Sequence, residues 1–265
     1  MLVTRIFTAA VLLAAFAGAL WFLDRISFAV VVAVIVAIGG YEWAALDRTR
    51  SAMAVAYGAA CALLFAASIQ YPPSAPWICG LATVFWAIAV PSWLARGFDA
   101  CPGFLLPVVG VVVLVPAGLA MASLGALHVL LVLGLVWVAD TAAYLTGRAF
   151  GKRKLAPAIS PGKTWEGVAG ALVASIIYAI IWAQFDPGLA ALVEGAAWLP
   201  YLAGAVLLCA VSIVGDLFES AAKRRAGVKD SGRLLPGHGG VLDRIDSATA
   251  TLPVALLLML ATGLK

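Results

Sequence analysis

Most residues able to do chemistry lie in two polar segments, residues 148–166 (RAFGKRKLAPAISPGKTWE) and 216–246 (DLFESAAKRRAGVKDSGRLLPGHGGVLDRID). The first holds Arg148, Lys152, Arg153, Lys154 and Lys163. The second holds Lys223, Arg224, Arg225, Lys229, Arg233 and Arg244, so that together they carry 11 of the 17 basic residues. A surface that grips anionic lipid headgroups would account for these cations. It would not account for Asp216, Glu219, Asp230, Asp243 and Asp246, acids in the same second segment that an anionic membrane surface would repel. Asp140 is costlier still. It ends an apolar run, and a carboxylate within a membrane span costs about 2.5–3.5 kcal/mol on insertion scales.

Asp140, Asp216, Asp243 and Asp246 are expected at one depth on one side of the membrane. Asp243 and Asp246 are three apart and share a face once a helix has begun. Carboxylates converging in this way repel one another unless a cation or protons neutralise them. With oxygen ligands and only two histidines in the chain, the hard ion Mg²⁺ is the natural choice. Mg²⁺ beside dense Lys and Arg points to a polyphosphate substrate. The structural alternative is a set of acid–base pairs between helices, with Asp243 beside Arg244 and Asp230 beside Lys229. Leu234-Leu235-Pro236-Gly237-His238-Gly239-Gly240 is a loop whose small residues let backbone N–H groups approach a ligand. Ser160-Pro161-Gly162-Lys163-Thr164 combines a turn with a cation. Neither is a P-loop, because Pro157 stands where that motif needs glycine. His238 alone would more often be a structural hydrogen-bonder than a catalyst.

The elements that must position these residues are membrane helices. Of 265 residues 64% are hydrophobic and 11% charged, and the mean hydropathy is +1.07. Such a chain has too little polar surface to clothe a water-soluble core, which excludes a soluble enzyme, a disordered regulator and a nucleic-acid binder. Uncharged runs cover residues 6–23, 26–41, 51–95, 100–139, 167–185, 195–215 and 247–264. A spanning helix needs about 20 apolar residues, so the third and fourth runs each hold two helices. The breaks fall at Tyr71-Pro72-Pro73-Ser74-Ala75-Pro76 and near Ser123-Leu124-Gly125. The expectation is an all-α polytopic protein of about nine spans, with the sixth reaching about Leu145. Residues 1–125 form the N-terminal spans, and residues 126–265 a catalytic region with loops 148–166 and 216–246. A cleaved signal peptide over the first run is the lesser reading, since that run is longer than a typical signal core and more spans follow. With the N-terminus inside, all of the 17 Lys and Arg except Arg25 and Lys265 fall on the inner side, which sets the N-terminus in and the C-terminus out. Cys61, Cys79, Cys101 and Cys209 lie far apart in or beside apolar runs and read as small core residues.

The string Ser220-x-x-Lys223-Arg224, then Lys229-Asp230-x-Gly232, then Pro236-Gly237-His238-Gly239-Gly240-Val241-x-Asp243-Arg244-Ile245-Asp246 closely resembles the signature of the phosphatidate cytidylyltransferases, or CDP-diacylglycerol synthases. Gly215-Asp216-Leu217-Phe218-Glu219-Ser220, Ala139-Asp140-Thr141 and Ser160-Pro161-Gly162-Lys163-Thr164-Trp165-Glu166-Gly167 look like other blocks of that family. The likeness is dense from Val138 to Ser247, with Glu42-Trp43 after the second span. Ala222 and Ala142 depart from the pattern, both at packing positions.

The resemblance implies transfer of the cytidylyl group of CTP to phosphatidate, with release of pyrophosphate, in a Mg²⁺-dependent homodimer at the cytoplasmic face of a membrane. A second cation is compatible with it. Asp216, Asp243 and Asp246 are then expected as metal ligands, with Asp140 a weaker candidate. Lys163, Lys223, Arg224, Lys229 and Arg244 are expected on the triphosphate and the lipid phosphate. His238, Gly239 and Gly240 would shape the nucleotide loop, beside Ser160. A bacterial inner membrane is the expected location, and nucleic acid is not an expected partner. A CTP-dependent lipid-alcohol kinase is the nearest alternative, and the Pro-Gly-His-Gly-Gly-x-x-Asp-Arg-x-Asp string argues against it. CDP-alcohol phosphotransferases want D-x-x-x-D, where this chain has D-x-x-D. A transporter would keep its acids near the bilayer midplane, whereas these hug one face.

Overall fold

The computed structural model describes residues 2–97 and 101–263. Lys265, one of the two cations expected on the outer side, and residue 100, where the fourth run begins, lie outside the described residues. The chain is a bundle of long helices: α1 (Leu2–Phe22), α2 (Arg25–Leu46), α3 (Ser51–Gln70), α4 (Ala75–Val84), α5 (Val90–Arg96), α6 (Leu106–Ser123), α7 (Ala126–Phe150), α8 (Trp165–Phe185), the short α9 (Pro187–Leu192), α10 (Trp198–Ala226) and α11 (Leu242–Thr262). Helices α4 and α5 make one crossing, joined by a π-turn at Phe85–Ala89. The turn has a cause in sequence. Pro91 has no N–H to give to the preceding turn, and a wider turn absorbs the missing bond. Among the described residues eight helical segments are long and apolar enough to span, and α1 adds a shorter apolar stretch, Phe7–Phe22. Both expected breaks are present, as a 3₁₀ turn at Pro72–Ser74 and as the gap between α6 and α7.

Lipid-facing and packed surfaces separate as a bilayer requires. Trp77, Leu81 and Ile88 point outward from the α4–α5 crossing, while Cys79, Ala82 and Trp86 are fully buried on its other side. Where helices touch, small residues let backbones approach. Gly40 of α2 lies so close to Gly58 of α3 that a side chain at either would run into the other helix. The central post is α11. Its Ser247-Ala248-Thr249-Ala250-Thr251 stretch is buried on every side, and it packs against α10, α6, α4, α7 and α2.

The polar segments are more ordered than their composition suggests. The second is helical at both ends and a loop only at 227–241. Helix α10 runs on past Asp216 because Leu217, Phe218, Ala221 and Ala222 keep one face buried. It stops at Gly227, which takes a left-handed φ of 74°, with Lys223, Arg224 and Arg225 in the last turn, where cations suit the helix dipole. Likewise α7 continues to Phe150 rather than stopping near Leu145. The first segment holds a small antiparallel hairpin, β1 (Lys154–Ala156) paired with β2 (Ser160–Thr164). Thr164 then caps α8, its hydroxyl accepting the Gly167 N–H at 3.1 Å.

Candidate active site

A cavity of about 530 Å³ opens at the polar end of the bundle. Helix α7 brings Asp140 and Tyr144 to its wall, α10 brings Asp216, and α11 brings Asp243, Arg244 and Asp246. The hairpin adds Ser160, Gly162 and Lys163. Lys163 Nζ lies 2.7 Å from Asp216 Oδ2, with both side chains about one-quarter exposed. Ser220 Oγ, one turn along α10, donates to Asp216 Oδ1 at 3.2 Å. Asp246 Oδ1 accepts the N–H of Ser247 at 2.7 Å.

Behind this wall is a buried polar network. Lys223 Nζ is 2.6 Å from both Glu219 Oε2 and Asp243 Oδ1. The other Asp243 oxygen accepts the Ser231 N–H at 2.9 Å, the Ser231 hydroxyl at 2.9 Å and the Gly240 N–H at 2.8 Å. Asp243 is thereby ringed by four donors. Glu42 of α2 adjoins it, accepting from Val241 N–H at 3.0 Å and Leu242 N–H at 2.7 Å, and shares with Asp243 the single proton of the Ser231 hydroxyl, 3.2 Å away. The intervening loop makes a β-turn at Leu235–His238, closed by the His238 N–H on the Leu235 carbonyl at 2.9 Å. Pro236 followed by Gly237 at φ 76° is what such a turn demands.

The sequence-derived residues therefore divide. Asp140, Asp216, Asp243, Asp246, Lys163, Ser160 and Arg244 meet on one cavity, whereas Lys223 stands behind it, holding Asp243. Arg224, Lys229, His238, Gly239 and Gly240 do not line it. Arg224 is exposed and ties α10 to the hairpin turn, its Nε donating to the Ile159 carbonyl at 3.2 Å. Gly240 commits its N–H to Asp243. Glu42 is the participant whose role the sequence did not reveal. The signal was an acid closing an uncharged apolar run, with Trp43-Ala44-Ala45-Leu46 apolar on its far side.

The donor chemistry suits a hard divalent cation. Asp140, Asp216, Asp243 and Asp246 bring carboxylates to a shared wall, with both oxygens of Asp216 and of Asp243 hydrogen-bonded or ion-paired. Among the described residues no three His, Cys, Asp or Glu side chains gather around a single point. Carboxylate oxygens are the donors Mg²⁺ takes, one or two of them commonly acting together with substrate phosphates.

A helical membrane bundle that collects carboxylates, cations and glycine turns at one end has the parts of an enzyme acting on phosphate groups at a bilayer surface. The chain belongs to the cytidylyltransferase family, whose model matches residues 3–262. The phosphatidate cytidylyltransferase of Pseudomonas aeruginosa is 42% identical over 274 aligned residues, covering 99% of this chain and 98% of that protein. The phosphatidate cytidylyltransferase of Haemophilus influenzae is 54% identical over 119 residues, 45% of this chain and 41% of its own length. That of Staphylococcus saprophyticus is 45% identical over 138 residues, 52% of this chain and 51% of its own.

Proposed function

We propose that this protein catalyses CTP + phosphatidate → CDP-diacylglycerol + pyrophosphate, a step of phospholipid biosynthesis. The observation that carries the reading is a single cavity lined by carboxylates of three helices and by cations of the hairpin and α11, at the polar end of a membrane bundle. The cavity supports a polyphosphate substrate. The full-length relative supports the choice of cytidine and phosphatidate.

The lipid phosphate attacks the α-phosphorus of CTP. A P–O bond forms there as the bond to the β-phosphate oxygen breaks, and pyrophosphate leaves. A phosphate dianion is already nucleophilic near neutral pH, so no side chain need remove a proton. The protein contributes position and charge neutralisation. Lys163 would exchange its Asp216 partner for a phosphate oxygen, and Arg244 would meet a second phosphate from the first turn of α11. Lys223 would act by fixing Asp243. Arg224, Lys229, His238 and Gly239 would guide the nucleotide or the headgroup from outside the cavity. Asp216, Asp243 and Asp246, with Asp140 in support, would hold Mg²⁺. When bound, that ion, alone or with a second cation, supplies charge stabilisation of the triphosphate and the leaving pyrophosphate.

On this reading the N-terminus and the site face the cytoplasm, the C-terminus lies outside, and the chain is a homodimer in a bacterial inner membrane. Residues 126–265 supply the cavity and residues 1–125 the helices that brace it. The test uses detergent-purified protein with phosphatidate, Mg²⁺ and CTP labelled at the α-phosphate. Label should enter the organic phase, dependent on lipid and abolished by EDTA. Movement of γ-label onto a lipid alcohol instead would overturn the reading in favour of a kinase.

A further inference from the structure

Glu42 does not face the cavity, yet it is one of the most constrained carboxylates in the protein. It is 3% exposed and belongs to α2, about 200 residues before the helix it touches. The first N–H groups of a helix have no partner within it and are normally met by an N-cap side chain. Val241, at that position of α11, offers no side-chain acceptor. Glu42 supplies the cap across space, accepting from the N–H groups of Val241 and Leu242. The Ser231 hydroxyl lies between Glu42 Oε2, at 3.2 Å, and Asp243 Oδ2, at 2.9 Å, and links the two carboxylates. Gly232 and Gly240 pack so tightly on the Glu42 carboxylate that a Cβ at either would strike it. Its neighbour Trp43 fixes the height of α2, with Nε1 donating to the Leu106 carbonyl at 2.8 Å and its ring stacked on Phe218 of α10 at 5.8 Å.

We infer that Glu42 is a positioning residue for the reaction: it caps α11 from α2 and holds the turn bearing Asp243, Arg244 and Asp246 in register with the cavity. The inference rests on the proposed phosphate chemistry of that turn. A shift of about 1 Å there is enough to lower turnover by about 100-fold.

The test compares full-length wild type, E42Q and S231A in one detergent–lipid mixture, by hydrogen exchange across residues 239–246 and by α-label transfer per folded molecule. In E42Q the amides of Val241 and Leu242 should exchange at least about tenfold faster, with the exchange of α6 and α10 unchanged. Its kcat should fall by about 100-fold with a smaller change in KM for CTP. S231A leaves both carboxylates in place and removes the hydroxyl between them. It should still fold, with a lowered Tm, and lose about tenfold in kcat per folded molecule, and it carries the test if E42Q does not fold. Wild-type kcat in both variants, or a fall only in Tm with full turnover per folded molecule, would overturn the inference. Absence of transfer in the wild type would overturn the cytidylyltransferase reading instead, while the exchange data still decide whether Glu42 caps α11.

Discussion

The two polar segments solve the problem of charge at a membrane in opposite ways. The hairpin arm, 148–166, is an exposed strip. Its ion pairs are Arg153–Glu166 at 3.6 Å, with the Arg153 side chain 82% exposed, and Lys163–Asp216, with both partners open to the cavity. Glu166 closes the arm on itself, accepting the backbone N–H groups of Lys152 and Arg153, and Arg224 and Asp216 of α10 hold it to the bundle. The segment 216–246 instead encloses a buried network, in which Lys223 pairs with Glu219 and Asp243, and Ser231 and Glu42 close its far side. Exposed pairs contribute little to stability and can exchange partners, whereas buried ones are strongly destabilising to break. The arm is therefore suited to trading contacts with substrate, and the loop to holding a fixed frame.

The largest expected effect comes from removing the hub of the frame. Lys223→Ala leaves Glu219 and Asp243 buried without their cation and should cost about 3–5 kcal/mol, read as a collapse of Tm in detergent. Gly240→Ala forces a methyl into Ser231 and Glu42, and overpacking of this kind costs about 1–3 kcal/mol. A clear Tm decrease is expected, and an unchanged Tm would show that the frame is looser than drawn. Asp216→Asn belongs to the trading side. It should leave Tm near wild type while α-label transfer drops by about 10²–10³-fold, and a stability loss without that drop would reverse its assignment. Gly162→Ala is expected to be nearly silent in Tm, because a Cβ there meets open space. Arg153→Ala should be the mildest, with Tm and kcat both unchanged. A strong effect of Arg153→Ala on either would erase the contrast between the two regions.

Span positions were legible because apolar run length and proline or glycine breaks act locally. Pro72, Pro73 and Gly125 ended helices where a helix had no means to continue. The end of α10 was not legible from charge alone. Asp216, Glu219, Lys223 and Arg224 look like a loop until Leu217, Phe218, Ala221 and Ala222 are seen to share a buried face. The convergence of Asp140, Asp216, Asp243 and Asp246 on one cavity followed from counting depth from the helix ends. The four donors around Asp243 did not follow, because they come from α10 and from two separate points of the loop. The Glu42 contact with Leu242 spans 200 positions, and no periodicity within either segment encodes it. The hairpin was missed for a related reason, since strands of three and five residues about Pro157 are too short to carry an alternating pattern.

Helix α11 has a place in time as well as in space. Chains emerge from the ribosome at about 5–20 residues per second, so Glu42 precedes its partner Leu242, 200 residues later, by roughly 10–40 s. Until α11 is made, Glu42 has no cap to supply, and α4, α6 and α10 lack the helix that each packs against in the finished bundle.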